Sequence, residues 1–223
     1  MSKISLETKL KKYKLYIFDL DGTLLDSDPM LIETFHFLYK KYKPADFVID
    51  DNKIITFSGP QIRDTLKQEF PELDQAMMLK VWREESVKNY PLFTKLFPGS
   101  LELLSALVDK GYFVAIYTNK HRFATDEAFR IFGIDKLNIF SMCGDEVSRL
   151  KPYPDGIFEC MKHFGILDKN EVIYIGDTVY DYNTSINAGV DFGLVSWTPR
   201  KLPENAKISV KIGSFSEFAR SIQ

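Results

Sequence analysis

The stretch LYIFDLDGTLLDSDP, residues 15–29, decides the fold because it places two carboxylates at the end of a short apolar run. Residues 14–20 have the length and apolar character of a buried strand, which an Asp-Gly pair then stops. Asp19 and Asp21 are separated by a single residue. A strand that ended for structural reasons alone would need only one turn former, so the two acids indicate binding or chemistry at this strand end.

Strands and helices alternate along the rest of the chain. Apolar runs predict further strands over 112–118, 138–144, 171–177, 190–197 and 208–212. Helical spacing predicts helices over 99–111, 122–132, 154–165, 178–188 and from Ser214 onward. Because alternating elements need crossover connections, the pattern predicts an α/β fold, a Rossmann-like parallel sheet with helices on both faces.

Residues 26–95 interrupt this alternation and contain no run typical of a buried parallel strand. Helical patterns occupy 28–43, 59–70 and 73–90, and the segment 44–55 is predicted to be a polar connection. The simplest interpretation is a helical insertion. The predicted domains are therefore an α/β core, residues 1–25 and 96–223, and an inserted helical domain, residues 26–95.

Composition limits the classes of partner. The 223 residues are 45% hydrophobic and 27% charged, and the formal net charge of −2 gives no overall field for nucleic acid or anionic lipid. Cys143 and Cys160 are too few for a disulfide framework. Residues 2–14 are polar, with no apolar signal core, and no apolar stretch is long enough to cross a bilayer. We expect a soluble cytoplasmic protein, a monomer or homodimer, with no nucleic acid or membrane partner.

Polar side chains follow the predicted strands at their carboxyl ends, where parallel sheets bind ligands. Because parallel strands end at one edge of the sheet, we expect these side chains to share one crevice. They are Asp19 and Asp21 after the first strand, Thr118 and Asn119 after the second, Lys151 before a helix, and Asp177 and Asp181 after a later strand.

Such a crevice requires a cation, or protons on some carboxyl groups. Two carboxylates ~4 Å apart repel by about 4 kcal/mol at an effective dielectric constant near 20. Oxygen ligands suit Mg²⁺, which usually shares its site with substrate phosphate. Thr118 and Lys151 are phosphate-binding residue types. The sequence therefore predicts metal-assisted phosphoryl transfer.

The segments DLDGT (19–23), TN (118–119), KP (151–152) and GDTVYD (176–181) resemble, in this order, the four motifs of the haloacid dehalogenase superfamily. The insertion 26–95 resembles the helical cap that this family carries after the first motif. The resemblance implies that Asp19 is the nucleophile, which forms an aspartyl-phosphate. It implies that Asp21 protonates the leaving oxygen and later deprotonates the attacking water.

The same resemblance implies the binding residues. Mg²⁺ would be held by Asp19, the carbonyl of Asp21, and Asp177. Asp181 would bind the ion through water or orient Asp177, although it can also serve only to charge the first helical turn. The phosphoryl oxygens would be bound by Thr118, Lys151 and the backbone N–H of Asn119.

Departures from the family pattern narrow the reaction. Asp21 separates the chain from dehalogenases and phosphonate hydrolases, which lack this second acid. Leu31 stands where β-phosphoglucomutase relatives carry a histidine. Residues 97–120 and 57–66 resemble the phosphoglycolate phosphatase and pyrophosphatase branch. We expect a Mg²⁺-dependent phosphatase acting on a phosphoglycolate-like metabolite; the alternatives are an inorganic pyrophosphatase, a phosphomutase, or a non-catalytic phospholigand-binding protein.

One further hypothesis concerns the segment Gly59–Arg63. Gly59 and Pro60 are predicted to open a helix, whose free N–H groups suit an anion remote from the transferred phosphoryl group. Arg63 is the candidate that contacts this second anion, and its alternative role is that of an ordinary exposed arginine. Lys120 is likewise either a substrate contact or a solvated residue at a helix start.

Overall fold

The computed structural model describes residues 10–222. Its main sheet has six strands in the order β5-β4-β1-β6-β7-β8, and neighbouring strands run parallel. The predicted α/β class is confirmed. The strands of this sheet are β1 (Leu15–Phe18), β4 (Phe113–Tyr117), β5 (Phe140–Met142), β6 (Val172–Gly176), β7 (Asp191–Val195) and β8 (Val210–Ile212).

Strand β1 occupies the position where the strand order reverses. Its Phe18 pairs with Ile116 of β4 on one side and Ile175 of β6 on the other. The segments that follow β1, β4 and β6 therefore begin side by side at one edge of the sheet. In open α/β sheets, this switch point is where ligands bind.

Apolar side chains bury the sheet under its crossover helices. Every residue of β1 and β6 is buried, as expected for strands covered on both faces. Helix α6 (Arg122–Phe132) ends where the sequence predicts, because Gly133 adopts a left-handed conformation with φ 74°. The helices of this unit are α5 (Ser100–Asp109), α6 (Arg122–Phe132), α7 (Asp155–His163), α8 (Val179–Ala188) and α9 (Phe215–Ile222), with 3₁₀ turns at Ile134–Leu137 and Lys169–Glu171.

The chain divides into two compact units. The sheet unit comprises the residues up to Leu24 and those from Leu96 onward, and the helical unit comprises Leu25–Lys95. Two short strands, β2 (Leu25–Asp26) and β3 (Lys95–Leu96), pair with each other where the chain passes between the units. The helices of the second unit are α1 (Asp28–Tyr42), α2 (Asp51–Ile55), α3 (Ile62–Glu69) and α4 (Gln75–Phe93).

Three expectations about the helical unit are wrong. The segment predicted as a connection contains α2, because the Asp50 side chain caps the Asn52 N–H at 2.9 Å and Ile54 is fully buried. Helix α4 continues through Pro91 to Phe93. Helix α3 begins at Ile62, after an N-cap at Gln61 that gives no side-chain cap, so Gly59 and Pro60 precede its first turn and do not open it.

The helical unit packs around its own apolar cluster. Phe35 and Leu38 of α1, Leu66 of α3 and Met78 of α4 are almost fully buried in it. A buried hydrogen bond in this unit joins two neutral side chains, because Asn89 Nδ2 donates to the Thr34 hydroxyl at 3.1 Å. This unit therefore folds around apolar contacts, with charged groups at its surface.

Residues 1–9, to which the expectation of no signal sequence partly refers, lie outside the described part of the chain. Within residues 10–222, no helix combines the length and apolar character needed to span a bilayer.

Candidate active site

Lys151 joins two carboxylates that are far apart in the sequence. Its ammonium donates to Asp19 Oδ1 at 2.6 Å and to Asp181 Oδ1 at 2.8 Å, and all three side chains are buried. The Asn119 side chain fixes the backbone beneath this lysine, because its Oδ1 accepts the Lys151 N–H at 3.0 Å. The structure therefore brings together groups that follow β1, β4 and β6, as the strand-end argument predicts.

Asp181 is held on both carboxylate oxygens. Its Oδ2 accepts the Thr178 hydroxyl at 2.6 Å and the Thr178 N–H at 3.0 Å, and the Thr178 hydroxyl in turn caps the Asp181 N–H. Its Oδ1 accepts the Tyr174 hydroxyl at 3.0 Å in addition to Lys151. This capping box fixes the start of α8 and leaves Asp181 rigidly placed beside Asp19.

Asp177, which is fully buried, receives donors from three side chains in two segments of the chain. The Thr23 hydroxyl donates to Oδ1 at 3.1 Å, and Oδ2 accepts Arg200 Nη1 at 2.8 Å and the Thr198 hydroxyl at 3.3 Å. The sequence reasoning missed Thr198 and Arg200. They follow strand β7, so the rule that ligands gather beyond the carboxyl ends of parallel strands was the signal that could have found them.

Asp21 is paired with Lys120, whose ammonium donates to Oδ2 at 2.7 Å. The other oxygen, Asp21 Oδ1, is buried and has no hydrogen-bond partner among the described residues. Directly after the two acids of the motif, Gly22 adopts φ +82°, and a Cβ there would lie 2.5 Å from Asp177 Oδ2. Glycine is therefore required for the first motif to approach Asp177 this closely.

Two predicted substrate-binding residues lie in different units. Thr118 is buried at the end of β4, where its Oγ1 accepts the Lys120 N–H at 3.2 Å. Arg63 belongs to the helical unit, where it occupies an exposed position in the first turn of α3. The sheet unit thus supplies every predicted site residue except Arg63.

Burial and charge set different protonation tendencies within the cluster. Burial raises the pKa of Asp19 to about 7. The Asp181 carboxylate also raises this pKa, whereas the Lys151 ammonium lowers it. Burial acts on Asp181 in the same direction, but Lys151 and the donors of Thr178 outweigh it and lower the pKa. Burial opposes charge on Lys151, yet the Asp181 and Asp19 carboxylates raise its pKa. An additional cation would favour the ionised form of Asp19.

The carboxylates have the chemistry of a site for a hard divalent cation. One oxygen from each of Asp19, Asp177 and Asp181 lies within 4.8 Å of the other two. Oxygen ligands of this kind suit Mg²⁺. Together with Asp21, they form a group of four acidic side chains, which three cationic side chains contact among the described residues. These cations are Lys120, Lys151 and Arg200.

Known proteins are similar to this chain in sequence and in fold. The family model for haloacid dehalogenase-like hydrolases matches residues 16–195. Pyrophosphatase PpaX of Halalkalibacterium halodurans is 28% identical over 184 residues, which are 82% of this chain and 84% of that protein. Structurally, a haloacid dehalogenase-like family hydrolase from Streptococcus pneumoniae matches with a TM-score of 0.80 and 20% identity over 96% of this chain and 100% of that one. A predicted phosphoglycolate phosphatase from Haemophilus somnus matches with a TM-score of 0.78 and 23% identity, over 95% and 99% of the two chains.

Proposed function

Because the chain belongs to the haloacid dehalogenase-like hydrolase family, we propose that this phosphatase is Mg²⁺-dependent and works through an aspartyl-phosphate on Asp19. The observation that carries the proposal is the contact of Lys151 with both Asp19 and Asp181 in a buried site. A buried lysine beside the attacking carboxylate can bind the oxygens of a phosphoryl group.

In the first step, a carboxylate oxygen of Asp19 attacks phosphorus, and the bond from phosphorus to the leaving oxygen breaks. Asp21 gives its proton to that oxygen, so the product leaves as an alcohol or as phosphate. Lys151 and the Thr118 hydroxyl bind the oxygens of the transferred group. Lys120 fixes the direction of the Asp21 side chain through its 2.7 Å contact.

In the second step, Asp21 takes a proton from a water molecule, and the resulting hydroxide attacks the phosphorus of the aspartyl-phosphate. The bond from phosphorus to the Asp19 oxygen breaks, which frees phosphate and restores the carboxylate. Asp21 then carries the proton that the next cycle needs. The buried Oδ1 of Asp21 is in keeping with this double use, since no described residue occupies it.

Mg²⁺ would be held by Asp19, Asp177 and the carbonyl of Asp21. Asp181 would bind the ion through water or orient Asp177. When bound, the ion supplies positive charge to the phosphoryl oxygens and favours the ionised form of Asp19. The carboxylate oxygens of Asp19, Asp177 and Asp181, which lie within 4.8 Å of one another, support this assignment, because a hard divalent cation prefers such oxygen ligands.

We propose a small substrate with a second anionic group beside the transferred phosphoryl group, such as inorganic pyrophosphate or phosphoglycolate. The name of the relative from Halalkalibacterium halodurans supports the first. The helical unit would act as the cap that selects this group, with Arg63 as its candidate contact. A phosphomutase is less well supported, because Leu31 has no group that can transfer a proton.

The test is release of phosphate in the presence of Mg²⁺ from p-nitrophenyl phosphate, phosphoglycolate and pyrophosphate, with Asp177→Asn as the control. We expect turnover of all three by the unmodified protein and a higher kcat/KM for the two substrates with a second anion. No release from any of them would contradict the proposal. Transfer of the phosphoryl group to a sugar phosphate, with no free phosphate, would indicate the mutase.

A further inference from the structure

Arg200 forms an ion pair with Asp177, one of the carboxylates that would bind the metal ion. Arg200 Nη1 donates to Asp177 Oδ2 at 2.8 Å, and the exposed fractions of the two side chains are only 9% and 0%. Water screens such a pair much less than it screens a surface ion pair. The guanidinium is always protonated, so this contact places a fixed positive charge at the predicted metal ligand.

The segment that leads to Arg200 is anchored by Thr198 and Trp197. The Thr198 hydroxyl accepts the Arg200 N–H at 3.1 Å and lies 3.3 Å from Asp177 Oδ2. One residue earlier, the Trp197 ring packs against Phe215 in the core, with ring centroids 4.7 Å apart. Arg200 therefore approaches Asp177 on a short segment that itself contacts this carboxylate through the Thr198 hydroxyl.

We propose that Arg200 competes with the divalent cation for Asp177, so that cation binding requires the guanidinium to leave Oδ2. The inference rests on the proposed metal role of Asp177. In the cation-free chain, Arg200 offsets the charge of a fully buried carboxylate, and burying a charge is unfavourable unless it is paired. A divalent cation at the same carboxylate meets repulsion from the guanidinium.

Two consequences follow from this competition. The affinity for Mg²⁺ is lower than the acidic cluster alone would give, because binding must displace an existing ion pair. Binding of Mg²⁺ is also coupled to the conformation of the segment from Trp197 to Arg200. Lys151 has a different role in the cluster, since its ammonium contacts Asp19 and Asp181.

The first experiment measures the Mg²⁺ dissociation constant by titration calorimetry for the unmodified protein, Arg200→Gln and Arg200→Lys. Glutamine keeps a hydrogen-bond donor but removes the charge, so we expect Arg200→Gln to bind Mg²⁺ roughly tenfold more tightly. Arg200→Lys retains the charge and should stay within about threefold of the unmodified protein. Unchanged or weaker binding by Arg200→Gln would overturn the inference while leaving the proposed metal site intact. No Mg²⁺ binding by any of the three would overturn both.

The second experiment separates competition from a merely structural role, using thermal unfolding in EDTA and in saturating Mg²⁺. Arg200→Gln should lower the melting temperature in EDTA, because Asp177 loses its partner, and Mg²⁺ should remove most of that difference. The matched control is Arg122→Gln, which breaks a contact of 2.6 Å with Glu146 elsewhere in the sheet unit. Its loss should be the same in both solutions. An Arg200→Gln loss that is also equal in both would overturn the competition.

A third readout uses the unmodified loop. In a Trp82→Phe background, Trp197 is the remaining tryptophan of the chain. We expect Mg²⁺ to change its fluorescence, and Asp177→Asn to abolish that change. If Mg²⁺ binds by calorimetry and leaves the fluorescence unaltered, the proposed coupling to this segment is wrong.

Discussion

The sheet unit buries charged side chains, whereas the polar side chains that the helical unit buries are neutral. In the sheet unit, Asp19, Lys151, Asp177 and Asp181 are all less than one-tenth exposed and contact one another or a neighbouring ionic group. In the helical unit, which the structure describes from Leu25 to Lys95 without a gap, the buried polar side chains are neutral. They are Ser27, Thr34, Thr65, Ser86, Asn89 and Thr94.

This difference has an energetic meaning. Burying a charge is costly unless it is paired and hydrogen-bonded, so a buried ionic cluster is retained where its chemistry is needed. The helical unit carries no such cost. We infer that the reaction is determined by the sheet unit, whereas the choice of substrate depends on surface groups such as those of the helical unit.

The largest expected effect comes from Asp19→Asn. The amide cannot form an aspartyl-phosphate, so turnover of p-nitrophenyl phosphate should fall by at least about a thousandfold. The control is Asp191→Asn, since Asp191 contacts Tyr13 at 2.9 Å and starts strand β7, at the opposite edge of the sheet. That change should lower stability and leave kcat almost unaltered. If Asp19→Asn retains more than a few per cent of the activity, water attacks the substrate directly.

Removal of divalent cations should have an effect almost as large. In EDTA, activity should fall to background because the Asp19 cluster lacks the charge that offsets its carboxylates. Added Mg²⁺ should restore turnover. Ca²⁺ should not, because it is larger and flexibly coordinated and would misplace Asp19 relative to phosphorus. Full activity in EDTA would contradict the proposed requirement for a metal ion.

Gly22→Ala tests whether the packing of the first motif matters beyond its backbone conformation. Gly22 and Gly111 have similar φ values, +82° and +81°, but a Cβ at Gly22 would collide with Asp177, whereas one at Gly111 meets nothing within 4 Å. Both alanine variants should lose about 1–2 kcal/mol of stability from the left-handed conformation, and Gly22→Ala should lose more because of the collision. Only Gly22→Ala should also lower kcat/KM, by roughly a hundredfold. If Gly22→Ala and Gly111→Ala had the same kcat/KM, the collision would be absorbed without moving Asp177.

Sequence reasoning recovered the parts of the fold that local signals determine. Strand β1 could be predicted from its apolar run and the Asp-Gly stop, and helix Arg122–Phe132 from its periodicity and Gly133. The site residues at strand ends could be grouped because parallel topology places those ends together. Leucine spacing and capping chemistry are properties of neighbouring residues, so one sequence is enough to identify them.

Other features depend on contacts that no local pattern encodes. Arg200 reaches Asp177 from a segment without periodicity, and Lys120 meets Asp21 across 99 positions of sequence. The Asp51–Ile55 helix has only five residues, too few for a periodic signal, and Asp50 and buried Ile54 stabilise it. Long cationic side chains have many rotamers, so their partners are determined by the folded environment.

Arg63→Ala is expected to have the smallest effect and to fall on one class of substrate. If Arg63 contacts a second anionic group, kcat/KM for pyrophosphate or phosphoglycolate should fall roughly tenfold to a hundredfold, or about 1.5–3 kcal/mol. Activity on p-nitrophenyl phosphate should barely change, because that substrate has no second anion.

The matched control is Arg83→Ala, which removes another exposed arginine of the helical unit. This variant should leave all three substrates unaffected, so that a loss in Arg63→Ala alone cannot reflect the net charge of the unit. Equal losses by Arg63→Ala on substrates with and without a second anion would show that Arg63 supports the fold. The separation of reaction and selection between the two units would then need another selecting residue, and exposed cations of the helical unit would be the next to replace.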